Sequence, residues 1–78
     1  MKTIIVAEIG SNWEGKLGIA KKIISECKSA GADAVKFQMW RASDLYSETH
    51  PEWSTIKKSE LTFDKAIKIK QICDDLKI

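Results

Sequence analysis

An apolar run that ends on a carboxylate and then breaks at glycine sets the terms for this chain. Ile4-Ile5-Val6-Ala7 reads as a strand, Glu8 follows, and Gly10-Ser11-Asn12-Trp13-Glu14-Gly15 turns away from it. Continuous apolar strands belong to parallel sheets covered on both faces, and in α/β barrels the carboxyl ends of such strands carry the chemistry. A charge at the end of a buried strand is costly unless it is paired or used, so Glu8 is a candidate site residue. Ala34-Val35-Lys36-Phe37-Gln38 repeats the design, again setting polar groups into an apolar strand ahead of a loop.

Hydrophobic period and punctuation give the order strand, helix, strand, helix. The first strand is expected from about Thr3 to Ile9 and the second from about Ala34 to Met39. Between them Leu17, Ala20, Ile23, Ile24, Cys27 and Ala30 recur at three and four on one helix face, and Gly31 stands where a C-cap glycine is favoured. A polar segment from Trp40 to Leu61 reads as an active-site loop or as a loop enclosing a short helix. Thr62 can cap the second helix, whose inward stripe is Phe63, Ala66, Ile69, Ile72, Cys73 and Leu76, with Lys65, Lys68, Asp75 and Lys77 mostly towards water. This βαβα order implies right-handed crossovers and adjacent parallel strands. Two such strands form an unfinished sheet with open edges, so the 78 residues read as one unit that is a piece of something larger.

The chain is 44% apolar and 31% charged, ordinary for a soluble globular protein. A formal charge of +2, spread along helix faces, points away from a nucleic-acid or membrane surface and towards a small-molecule ligand. Met1-Lys2 and a short apolar run lack the form of a signal peptide, and no stretch approaches transmembrane length. Cys27 and Cys73 lack CxxC spacing and read as reduced core thiols, so a cytoplasmic location is expected.

Side chains alternate along a strand, so Ile4, Val6 and Glu8 share one face of the first, and Ala34, Lys36 and Gln38 one face of the second. If those faces line a barrel, Val35 and Phe37 pack outward on helices while Glu8, Lys36 and Gln38 meet near the top. Lys36 could then neutralise a phosphate or carboxylate, and Glu8 could accept a hydroxyl proton or hold a sugar hydroxyl. A buried Glu8–Lys36 ion pair that satisfies only itself is an equal alternative. The Gly10–Gly15 loop suits close backbone approach to a ligand, yet it lacks GxGxxG spacing and a P-loop lysine. His50, alone beside Pro51, is assigned no role. Trp13, Trp40 and Trp53, all expected in loops, could wall a pocket or pack an interface.

The blocks Ile5-Val6-Ala7-Glu8-Ile9-Gly10-Ser11-Asn12 and Ala30-Gly31-Ala32-Asp33-Ala34-Val35-Lys36-Phe37-Gln38, with Ala20-Lys21-Lys22 between and Asp44-Leu45-Tyr46 after, resemble the N-terminal part of the sialic acid synthases. The resemblance covers essentially the whole chain. It implies the first two βα units of a TIM (β/α)8 barrel, incomplete in this chain, in a phosphoenolpyruvate-dependent carbon–carbon bond-forming transferase. In that family C3 of phosphoenolpyruvate attacks the aldehyde of an N-acetylmannosamine-type sugar polarised by a divalent metal, Mn or Mg. Water adds at C2 and phosphate leaves by C–O cleavage, giving a nine-carbon 2-keto sugar acid. The resemblance makes Glu8 catalytic and Lys36, Gln38 and Asn12 substrate-binding, and it implies a homodimer for the full enzyme. The metal's histidines, most of the phosphoenolpyruvate pocket and a C-terminal antifreeze-like domain would lie beyond Ile78. The family commonly has histidine where this chain has Trp13, whose indole N–H only donates. Two further readings stand beside this one. One is a free-standing βαβα module that assembles through its sheet edges; the other is a related aldol-type enzyme, against which the AEIGxN block argues.

Overall fold

The computed structural model describes residues 2–78; Met1, with which the reading of the N-terminus begins, lies outside them. In chain order it has β1 (Val6–Gly10), α1 (Leu17–Ser29), β2 (Ala34–Phe37), α2 (Ala42–Leu45), α3 (Trp53–Lys58) and α4 (Phe63–Leu76). The two strands are parallel neighbours, and α1 packs on both β2 and α4, which gives the expected α/β arrangement.

Both strands are shorter than the sequence suggests, because partners decide where a ladder runs. Val6 pairs with Ala34, Ala7 with Val35 and Glu8 with Lys36, after which the register slips and Gly10 faces Phe37. Thr3 and Ile4 precede the first paired residue and are not strand. Gly10, at φ 58, turns the chain out of β1, so Gln38 and Met39 continue past β2 without a partner. Asp33 fixes the lower end: its Oδ2 accepts the Ile5 N–H at 2.9 Å, and its own N–H donates to the Ile5 carbonyl at 2.9 Å.

The strand faces divide as the period of two requires. Ile9 is buried, and Val35 and Phe37 pack against the core formed with Ala20 and Ile24 of α1 and Ile69 and Cys73 of α4. On the opposite face Ile4, Val6, Glu8 and Lys36 are exposed, and among the described residues no helix covers that side. An apolar strand face open to water runs against the doubly covered sheet that its composition calls for.

The helices keep most of their expected stripes. α1 closes on Gly31 at φ +97, with N–H bonds from Gly31 to Lys28 and from Ala32 to Cys27, both 3.0 Å. This double bond satisfies the last carbonyls, as a glycine-closed helix should. Ala30 falls in that cap and is exposed. Thr62 caps α4 through its hydroxyl, which accepts the Lys65 N–H at 3.2 Å. Phe63 departs from its expected stripe and is 78% exposed; it is the first residue of α4, at the helix end that Lys65 ties to the β1–α1 loop. Cys73 is buried and Cys27 half-buried, and both are free thiols; burial pushes the Cys73 thiol up from its ordinary value. The polar segment holds two short helices, α2 and α3, with Trp53 opening α3 instead of lying in a loop. Among the described residues no helix is long and apolar enough to cross a membrane.

Candidate active site at the carboxyl ends of the strands

Direct pairing of Glu8 with Lys36 in the ladder puts two opposite charges side by side on the open face. The Lys36 Nζ lies 3.5 Å from Glu8 Oε2, and Gln38 Nε2 donates to Glu8 Oε1 at 3.3 Å. Gly10 adjoins them: a β-carbon there would lie 3.8 Å from Glu8 Oε1 and 3.9 Å from the Gln38 amide. Three of the four expected residues therefore meet. Asn12 is exposed in the β1–α1 loop, its N–H bonded to the Ile9 carbonyl at 3.1 Å, and among the described residues its side chain bonds to none of the other three.

The ion pair forms, but it is not the buried pair that the sequence left open. Its side chains are 48% exposed at Glu8 and 64% exposed at Lys36. An exposed pair of this kind contributes about 0–1 kcal/mol to stability. Stability therefore gives little reason for three polar groups here, and an incoming anion could recruit Lys36 at small cost.

A groove of about 350 Å³ opens beside the cluster, between Ser11 and Gln38 on the strand side and Thr55, Ile56 and Ser59 of the α3 segment, with Trp40 and Tyr46 among its walls. A second groove, of about 410 Å³, lies beyond Trp40 towards Phe63 and contains none of the four residues. Trp40 lines both, so it is a pocket wall. Trp13 is neither wall nor interface: its ring is fully buried, meets Phe37 edge-on at 6.0 Å, and leaves Nε1 without a hydrogen-bond partner. His50 accepts the Glu52 N–H at 3.0 Å in the turn before α3 and touches Tyr46.

Two residues that shape this region escape sequence reasoning. Lys65 is half-buried instead of solvated and donates to the Gly15 carbonyl at 3.0 Å. Glu60 accepts the Ala42 N–H at 2.6 Å and pairs with Lys57 at 3.1 Å, so it caps α2 from eighteen residues away; no local motif signals such a bond. The Ala42 N–H, then Lys57, hold the Glu60 carboxyl below its ordinary 4.5. A depressed carboxylate stabilises above its unfolded pKa, and that contribution is lost as pH falls through the folded one. The Ala42 amide shift is expected to titrate with a midpoint below 4.5, and Glu60→Gln should abolish that titration.

The profile of the NeuB family matches residues 23–78. An uncharacterised protein of Methanocaldococcus jannaschii is 33% identical over 76 residues, spanning 97% of this chain and 23% of that protein. The N,N'-diacetyllegionaminic acid synthase of Legionella pneumophila is 45% identical over 49 residues, 63% of this chain and 14% of the synthase. Among solved structures, the N-acetylneuraminic acid (sialic acid) synthetase of Leptospira borgpetersenii serovar Hardjo-bovis, in complex with citrate, superposes with a TM-score of 0.87 at 27% identity, covering 100% of this chain and 27% of that one. The chain thus spans about a quarter or less of the length of these relatives, and by the matched profile, which covers more than half of its residues, it belongs to the NeuB family.

Proposed function

We propose that this chain forms the first two βα units of a TIM-barrel sugar-acid synthase, which joins phosphoenolpyruvate to an N-acetylmannosamine-type sugar and releases phosphate and a nine-carbon 2-keto sugar acid. The observation that carries the reading is the Glu8–Lys36–Gln38 cluster on the uncovered face, in a chain of this family. The Lys36 ammonium would hold the phosphate or carboxylate of phosphoenolpyruvate, where a charge-assisted bond is strong once water is excluded. Glu8, released from that lysine, would hold a sugar hydroxyl or take its proton, and the Gln38 amide would fix the carboxylate's orientation. Asn12, on the adjoining loop, would add a contact to the substrate.

A divalent Mn or Mg ion, which the reading requires at the sugar aldehyde, does not find its donor set in this segment. Among the described residues no three histidine, cysteine, aspartate or glutamate side chains converge, and both Glu8 oxygens engage neighbours. Its ligands would come from elsewhere in the barrel.

The test is a fusion of residues 1–78 to the remainder of the Legionella synthase. Phosphate should be released from phosphoenolpyruvate only when an N-acylated amino sugar and a divalent metal are both present. Release without the sugar, or none from a folded fusion, would sink the reading. The uncovered Ile4 and Val6 favour a second one, in which copies of this chain complete the sheet between them. A discrete oligomer of the 78-residue chain on sedimentation would support that, and a monomer would remove it.

A further inference from the structure

We infer that Lys65, which lines neither groove, is a positioning residue that locks the β1–α1 loop against the candidate site. The loop carries Asn12 and Ser11, and Ser11 forms one wall of the groove beside Gln38. It is a chain of tight turns, with N–H bonds from Glu14 to Ser11 and from Lys16 to Trp13, both 3.0 Å. Glu14 and Gly15 lie at φ 56 and 72, a left-handed pair that a non-glycine residue adopts only where its surroundings impose it.

One side chain supplies much of that constraint. The Lys65 ammonium donates to the Gly15 carbonyl at 3.0 Å and stands 5.6 Å from the centroid of the buried Trp13 ring. Among the described residues no carboxylate pairs with it, so its charge is directed at this carbonyl and ring alone. Gly15 also packs against the Lys58 carbonyl at the end of α3, and the α3 segment supplies the opposite groove wall through Thr55, Ile56 and Ser59. Lys65 therefore fixes the loop from α4, the loop rests on α3, and the separation of the two groove walls follows.

The link from loop to site rests on the synthase reading; the clamp does not. Hydrogen exchange in the 78-residue chain tests the clamp. In Lys65→Met, which keeps the aliphatic stem but not the donor or charge, the Glu14 and Lys16 amides should exchange about tenfold faster while amides of β2 and the middle of α1 are unchanged. Lys65→Arg, which restores a cation and a donor, should return them to the original rate. Unchanged loop amides would overturn the clamp, and so would equal acceleration throughout. In the fused enzyme Lys65→Met should raise the KM for the N-acylated sugar several-fold with kcat little changed. An unaltered KM beside a loosened loop would overturn the positioning role. A fused enzyme with Lys65 intact that releases no phosphate would strike the synthase reading and leave the exchange result standing.

Discussion

Gly15→Ala is expected to leave the 78-residue chain unfolded. A β-carbon at this position would overlap the Lys58 carbonyl, with its oxygen inside contact and its carbon 2.9 Å away. Both atoms belong to backbone at the end of α3, so no rotamer change relieves the clash. The φ of +72 adds about 1–2 kcal/mol of left-handed strain for any L side chain. Relief would require the β1–α1 loop to separate from α3, losing the close contact on which Gly15 rests. A core of this size rarely supplies more than about 3–5 kcal/mol, so the combined loss exceeds the reserve. Gly18→Ala is the control. Gly18 lies in the first turn of α1, where an added β-carbon meets nothing within 4 Å, and alanine there should stabilise by about 0.5 kcal/mol. Far-ultraviolet circular dichroism with urea titration reads both, and a Gly15→Ala chain with native helicity and midpoint would refute the loop–α3 contact.

Trp13→Ala is expected to cost about 3–5 kcal/mol, again enough to unfold the chain. The indole is fully buried among Ile9, Ala20, Ile24 and Leu61, with the Phe37 edge against it. Its Nε1–H has no partner, and an orphan donor costs about 1–3 kcal/mol, so the ring is held inside by packing and by the Lys65 ammonium over its face, not by a hydrogen bond. Trp13→Phe should accordingly be nearly neutral, within about 1.5 kcal/mol, because the smaller ring loses contact area but removes the orphan. Equal destabilisation by both substitutions would mean that the N–H is bonded after all.

The division of faces was legible from the sequence because it rests on a period of two, which survives whatever the sheet's neighbours do. That placed Glu8, Lys36 and Gln38 together and Val35 and Phe37 on the helices. The end of α1 was legible for a local reason too, since Gly31 answers a backbone requirement. What failed was set by distant partners. Strand limits depend on where Ala34 and Phe37 find a partner in β1. Lys65 reads as a solvated lysine on a helical wheel, yet its long stem lets the ammonium reach a carbonyl fifty residues earlier in the chain. Trp13 sits in a loop between glycines, and nothing local says that the loop folds its aromatic ring into the core. The bonds to Glu60 and Asp33 likewise join backbone to side chains across long separations.

The proposed binding of phosphoenolpyruvate by Lys36 is tested most directly by the KM for phosphoenolpyruvate of the fused enzyme carrying Lys36→Ala. Lys36 is 64% exposed and its pair with Glu8 adds little stability, so the variant should fold as well as the parent. Losing a charge-assisted contact to the substrate should raise that KM about tenfold or more, with the KM for the sugar changed far less. A folded variant with an unchanged KM for phosphoenolpyruvate would contradict the account and leave the Glu8–Lys36 pair as a surface ion pair without a catalytic task.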